Sequence, residues 1–236
     1  MYTLTDEQVE NGYFRFPGIP SYGPAVREYR KYDGRSQLCV SCTQLLFYPD
    51  AQGKGIRYTE AEKRHILNEW IQVLSSQQLS LTALHLASNV PQRLFDAACC
   101  QSELVELYCK FGKYADLTPL LKLKKLQFLH LGSCPSVTDI SVLTQLKTLK
   151  VLYVQNFKKI EDYSPLAALD GLEQLVISGP TLNNIHVKDM EFLRDMPNLR
   201  SVRFANVTFR KKYTKAELQD LRAAVPQLHD MHSCIW

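Results

Sequence analysis

Leu126-Gln-Phe-Leu129-His-Leu131-Gly-Ser-Cys134-Pro-Ser-Val137-Thr-Asp139-Ile140-Ser-Val-Leu143 decides the fold, because its apolar residues return at a fixed interval on either side. The leading leucine has counterparts at Leu81, Leu104, Leu149, Leu172 and Leu199, in steps of 23, 22, 23, 23 and 27 residues along the series. Each is followed by a second apolar residue three positions later and a third two after that. Side chains two apart share one face of a strand, so the last two apolar residues point inward together and the residue between them points to the other face. One such unit cannot bury its leucines alone. Stacked units can, by pairing their strands in parallel around one continuous core.

The second half of each unit follows the same period. Asp116, Asp139 and Asp162 are 23 residues apart, and lead into Leu117-Thr-Pro-Leu120, Ile140-Ser-Val-Leu143 and Tyr163-Ser-Pro-Leu166. A carboxylate at the start of a turn accepts its free backbone N–H groups, and a proline early in the turn costs no hydrogen bond, so each aspartate is expected to open a convex turn or short helix.

From about Leu79 to Val207 this pattern resembles the leucine-rich-repeat family, and the aspartate-led convex segment is similar to the repeats of bacterial internalins. Many members of that family carry asparagine after the strand, where this chain has Asn89, Gly112, Cys134, Phe157, Pro180 and Val207; Cys134 resembles the cysteine-containing repeat variant. The resemblance implies an α/β solenoid with a concave parallel sheet, short convex helices or turns, and capped ends. It also implies a protein-binding role.

The chain has 236 residues, 45% of them hydrophobic and 22% charged, enough for a sizeable core, and its net charge of +4 is too small to require nucleic acid or an anionic membrane as partner. The sequence starts without a basic and apolar leader and has no stretch of about 18 apolar residues. Seven cysteines, an odd number without regular pairing, suggest reduced thiols. The expectation is a cytoplasmic, monomeric protein.

Three regions follow: an aromatic-rich segment and capping helix over 1–78, about six repeats over 79–207, and a C-terminal cap over 208–236. Residues 1–58 lie outside the repeat and carry many tyrosines, phenylalanines and prolines; they are expected to cover the open end of the solenoid, with a small ligand-binding domain as the alternative. Within them Thr5 and Gln8 form a possible capping box, and 37–48 a possible strand. Thr59-Glu-Ala-Glu62 opens an amphipathic helix to about Ser75, and Thr214 with Glu217 another over 215–224, ended by Pro226. Leu228 and Met231 could begin a last degenerate unit. The 27-residue step suggests a fuller helix between Val187 and Met196. Cys39-Val-Ser-Cys42 is the only CxxC; zinc or redox chemistry there would need ligands or a strand-to-helix context that the flanking residues do not supply.

Function is expected on the outward-facing strand residues. The candidate partner-binding set is His85, Glu106, Tyr108, Lys110, Phe128, His130, Val151, Tyr153, Gln155, Gln174, Val176 and Arg203, whose middle column forms an aromatic stripe. His85 and His130 lie two strands apart, about 10 Å, too far to share one zinc. Only Lys110 and Arg203 in this set are basic, so single-stranded nucleic acid is the weaker partner. No P-loop, GxSxG, GxGxxG, HExxH or Cys-x-Asp motif is present, and no carboxylate pair recurs on the face. The sequence reads as a non-enzymatic interaction module without cofactor or metal: an inhibitor, such as an immunity protein against a toxin, or an adaptor.

Overall fold

A computed structural model describes residues 3–13, 25–42 and 58–225, and the backbone of 230–233. Its strands are β1 (Gln37–Val40), β2 (Ala83–Pro91), β3 (Glu106–Lys113), β4 (Phe128–Leu131), β5 (Val151–Gln155), β6 (Gln174–Ser178), β7 (Ile185–Val187), β8 (Ser201–Ala205), β9 (Val207–Phe209) and β10 (Asp230–Ser233). The helices are α1 (Asp6–Asn11), α2 (Glu60–Ser76), α3 (Gln92–Ala98) and α4 (Lys215–Ala224). Eight strands form one sheet in the order β1-β2-β3-β4-β5-β6-β8-β10, and every pair is parallel.

The register aligns the repeat. Leu84, Leu107, Leu129, Leu152, Leu175 and Val202 are successive partners, each fully buried. Burying such a side chain stabilises by about 1.5–3 kcal/mol, so the six together are a large share of what holds the stack. The convex turns are single 3-10 turns at Thr118–Lys122, Ser141–Gln145, Ser164–Ala168 and Glu191–Asp195. Asp116, Asp139 and Asp162 accept the backbone N–H two residues on, at 2.8, 2.7 and 2.9 Å. Asp189 makes the same bond to Glu191 N at 3.0 Å and is a fourth member of the ladder, masked in the sequence by the longer step.

That longer step does not hold a fuller helix. Its convex segment is the same short turn as its neighbours', and the additional residues form β7, which pairs with β9 in a two-stranded sheet. Alternating Ile185 and Val187 bury against the core while His186 points out, a strand pattern rather than a helical one. The full convex α-helix, α3, belongs to the first repeat instead.

Capping boxes at Thr5–Gln8, Thr59–Glu62 and Thr214–Glu217 are all formed. The two ends of the stack are closed by further, irregular units. β1 and α2 add a strand beside β2 and a helix beside α3, with Trp70 completely buried and its indole N–H donating to Arg27 O. At the other end β10 pairs with β8, and α4 packs against the Glu191–Asp195 turn. The part of the expected strand beyond Cys42, and Pro226 and Leu228, lie outside the described residues. Residues 25–42 and 58–76 lie beside β2 and α3 at one end of the stack, whereas residues 3–13 cross to the concave face.

Candidate concave interaction site

The outward residues of the sheet stand in register across adjacent strands. His85, Tyr108, His130 and Tyr153 are consecutive partners, and their rings meet at centroid distances of 4.1, 4.0 and 4.1 Å, the last pair stacked and the first two edge-on. This spacing follows from the strand separation, which brings every aromatic in the column against the next. Burial lowers the pKa of His85 to about 4, with Lys110 adding a smaller repulsion, and that of His130 to about 3, with His85 the next contributor. Both imidazoles are therefore uncharged at neutral pH.

The candidate residues are not the exposed stripe expected from the sequence. His85, Glu106, Tyr108, Phe128, His130, Val151 and Gln174 are buried; Lys110, Tyr153, Gln155, Val176 and Arg203 are half-buried. What covers many of them is the chain's own segment from Leu4 to Tyr13. Leu4 and Val9, 3% and 2% exposed, form a cluster with Tyr108, Phe128 and Val151, bordered by Tyr13, Val105 and Tyr153. Gly12, with φ of 83°, turns the chain out of α1 in a conformation other residues rarely adopt, and this lays the Tyr13 ring on Phe128 at 4.2 Å and 4° between planes. The Tyr13 hydroxyl donates to Glu106 Oε2 at 2.9 Å.

Polar contacts fix both ends of α1. At its start, Leu4 N donates to Glu173 Oε2 at 3.2 Å, Arg200 donates to Leu4 O at 2.7 Å, and Arg200 pairs with Asp6 at 2.6 Å. Glu173 is itself held by Lys150 at 3.2 Å and Arg200 at 3.3 Å. At its end, the carbonyls of Gln8 and Val9 accept from Gln174 Nε2 at 3.2 and 3.4 Å, and those of Glu10 and Asn11 accept from Arg203. Tyr13 N donates to Gln174 Oε1 at 2.7 Å. The last carbonyls of a helix have no partner within it. Here the sheet supplies those partners, and the Arg203 charge also lies at the negative end of the helix dipole.

The candidate set thus comes together on one face, and Glu106, Tyr108, Phe128, Val151, Tyr153, Gln174 and Arg203 all meet residues 3–13. Sequence reasoning missed Lys150, Glu173 and Arg200. They immediately precede β5, β6 and β8, where the charge alternates in sign over three successive repeats, while the positions before β2, β3 and β4 hold Thr82, Val105 and Gln127; that short alternation is the signal the sequence carries. Cys39 and Cys42 are buried with their thiols pushed up to about 11 and 12 by desolvation; Cys39 Sγ lies 3.7 Å from His85 Nδ1. No group of three metal-ligating side chains occurs among the described residues, and no helix among them is long and apolar enough to cross a membrane.

No family model and no curated protein matches the chain. Solved structures do. An internalin (inlF) of Listeria monocytogenes is 22% identical, with a TM-score of 0.53 over 69% of this chain and 44% of that one. A leucine-rich-repeat protein of Leptospira interrogans is 16% identical, with a TM-score of 0.44 over 64% of this chain and 48% of its own. A plant peptide hormone receptor is 15% identical, with a TM-score of 0.42 over 68% of this chain and 28% of its own. The chain spans less than half the length of each. Period, register, parallel sheet and the likeness to the internalin agree that the chain folds as a leucine-rich-repeat solenoid.

Proposed function

We propose that this protein is a non-enzymatic interaction module whose concave face receives a partner protein through the column His85, Tyr108, His130 and Tyr153 and its neighbours Glu106, Lys110, Phe128, Val151, Gln155, Gln174, Val176 and Arg203. The observation that supports this is the occupancy of the face by residues 3–13. That segment is held as peptides are held at interfaces, by a stacked aromatic, buried aliphatic groups and charge-assisted hydrogen bonds. A rigid parallel sheet closed at both ends acts on a partner by occupying or positioning it, in the manner of an inhibitor or immunity protein, or of an adaptor.

Capture from the lysate of the native cell tests the reading, with wild type beside a Tyr153→Ala, Val176→Asp variant. The expected result is one stoichiometric partner, of standard interface size, retained by the wild type and lost by the variant. A partner whose activity is abolished in the complex identifies an inhibitor, and one that bridges to a third protein an adaptor. Equal retention by both proteins places the site elsewhere on the solenoid.

A further inference from the structure

Resting on that reading, we propose that residues 3–13 occupy in cis the seat of a partner segment of the same chemistry: an N-capped, amphipathic, acidic helix. Its first turn carries a carboxylate, one buried aliphatic residue stands just before its N-cap and another within it, and an aromatic residue lies just past its C-terminus.

Four features of the seat carry this. The apolar cluster of Leu4 and Val9 with Tyr108, Phe128 and Val151 is separate from the main core of the solenoid, which is complete beneath the sheet without it. The segment joins the sheet by side-chain hydrogen bonds and is not one of its strands, so lifting it leaves the parallel ladder intact. α1 has six residues, far short of the roughly 12–15 that sustain a helix alone, and its last carbonyls are capped by Gln174 and Arg203. The groove therefore selects helix over other conformations. Finally, Arg200 pairs with Asp6 while Glu173, itself paired with Lys150, holds Arg200 in place, and Glu7 and Glu10 are exposed. A helix presenting a cation at the position of Asp6 would meet the Arg200 guanidinium head-on.

A covalently tethered segment competes at an effective concentration of about millimolar, so an isolated peptide with the same sequence, lacking a whole partner's further contacts, binds the wild-type protein weakly until the tethered one is disabled. The test is a fluorescein-labelled peptide with the sequence of residues 3–13, titrated against the full chain by anisotropy. Binding to a Leu4→Glu, Val9→Glu chain is expected at least tenfold tighter than to wild type. It should be lost on adding Arg200→Glu and regained with a peptide carrying Asp6→Arg. Unchanged thermal melting shows each variant folded. Equal or absent binding to the folded double variant overturns the proposal. So does a wild-type dimer that becomes monomeric in that variant, because the seat would then belong to a second copy of the chain. A partner captured through the concave face with the peptide unbound would sink this inference and leave the interaction module standing; peptide binding with no partner captured would do the reverse.

Discussion

Replacing Val9 with alanine should loosen residues 3–13 while leaving the solenoid almost as stable as before. Val9 is 2% exposed and touches the outer side of the sheet, within a cluster that shares no residue with the main core. The substitution removes two buried carbon groups at about 0.8 kcal/mol each, or roughly 1.5 kcal/mol before any term for the space left behind. Since about 1.4 kcal/mol corresponds to a factor of ten, local opening of α1 should become about 10-fold more frequent. Hydrogen exchange reads this directly. The amides of Val9 and Gly12, bonded to Thr5 O at 3.0 Å and Gln8 O at 2.9 Å, should exchange about tenfold faster, while those of β4 and β5 keep their rates. Leu152→Ala is the control, in the fully buried stack, where a cost of about 2–5 kcal/mol lowers protection throughout the repeats. If Val9→Ala leaves exchange at Val9 and Gly12 unaltered, or lowers the melting temperature as much as Leu152→Ala does, then residues 3–13 are not an independently opening unit and the reasoning fails.

Removing the turn carboxylate in Asp139→Ala should cost about 1 kcal/mol and lower the melting temperature by a few degrees, and Asp189→Ala should cost somewhat less, because it makes the same bond to the turn backbone but lacks the second one that Asp139 accepts from the Ser141 hydroxyl. Gly132→Ala would set a Cβ 2.5 Å from Lys110 O and 2.8 Å from Cys109 O, backbone atoms that cannot swing aside, so a loss of about 1–3 kcal/mol or more is expected in urea unfolding. Gly171→Ala, whose nearest neighbour would be 3.5 Å away, should unfold close to the wild type. Acidification should destabilise the protein through the buried imidazoles: with folded pKa values near 4 and 3 against about 6.5 unfolded, only the unfolded chain takes up these protons as pH falls from about 6.5 to 4. Each histidine then contributes about 1.4 kcal/mol of lost stability per pH unit, and a His85→Phe, His130→Phe variant should show a flatter dependence between pH 7 and 5. Equal slopes for the two proteins would refute the assignment.

The solenoid was legible because its instructions are local and repeated. Three apolar positions in six residues define each strand, an aspartate opens each turn, and the threonine of each capping box sits three residues before its partner side chain. Where an insertion changes the step the periodic signal fails: Asp189 falls outside the 23-residue spacing, and the residues from Val187 to Met196 suggest a fuller helix where the structure has the strand pair Ile185–Val187 with Val207–Phe209 followed by a short turn. The concave face was legible as a set of residues but not as a surface. Thr5 and Gln8 announced α1, yet nothing in residues 3–13 says that they meet Glu106, Gln174 and Arg203, from 93 to 193 residues away. Pairing over such separations depends on shape and charge that exist only after the repeats have stacked, so it leaves no periodic mark in the sequence.

That separation also orders events in time. Each repeat packs chiefly on its nearest neighbours, so the stack can grow unit by unit as the polypeptide emerges from the ribosome. Residues 3–13 are made before the repeats but must wait for Gln174, Arg200 and Arg203 before they have a place to dock. At a synthesis rate of about 5–20 residues per second, that wait lasts on the order of ten seconds or more. During it, β3, β4 and β5 can form with Tyr108, Phe128 and Val151 bare. A nascent chain with this topology therefore presents its aromatic face before it can shield it, and the contacts that close the face span far more of the sequence than the pairings that build the sheet.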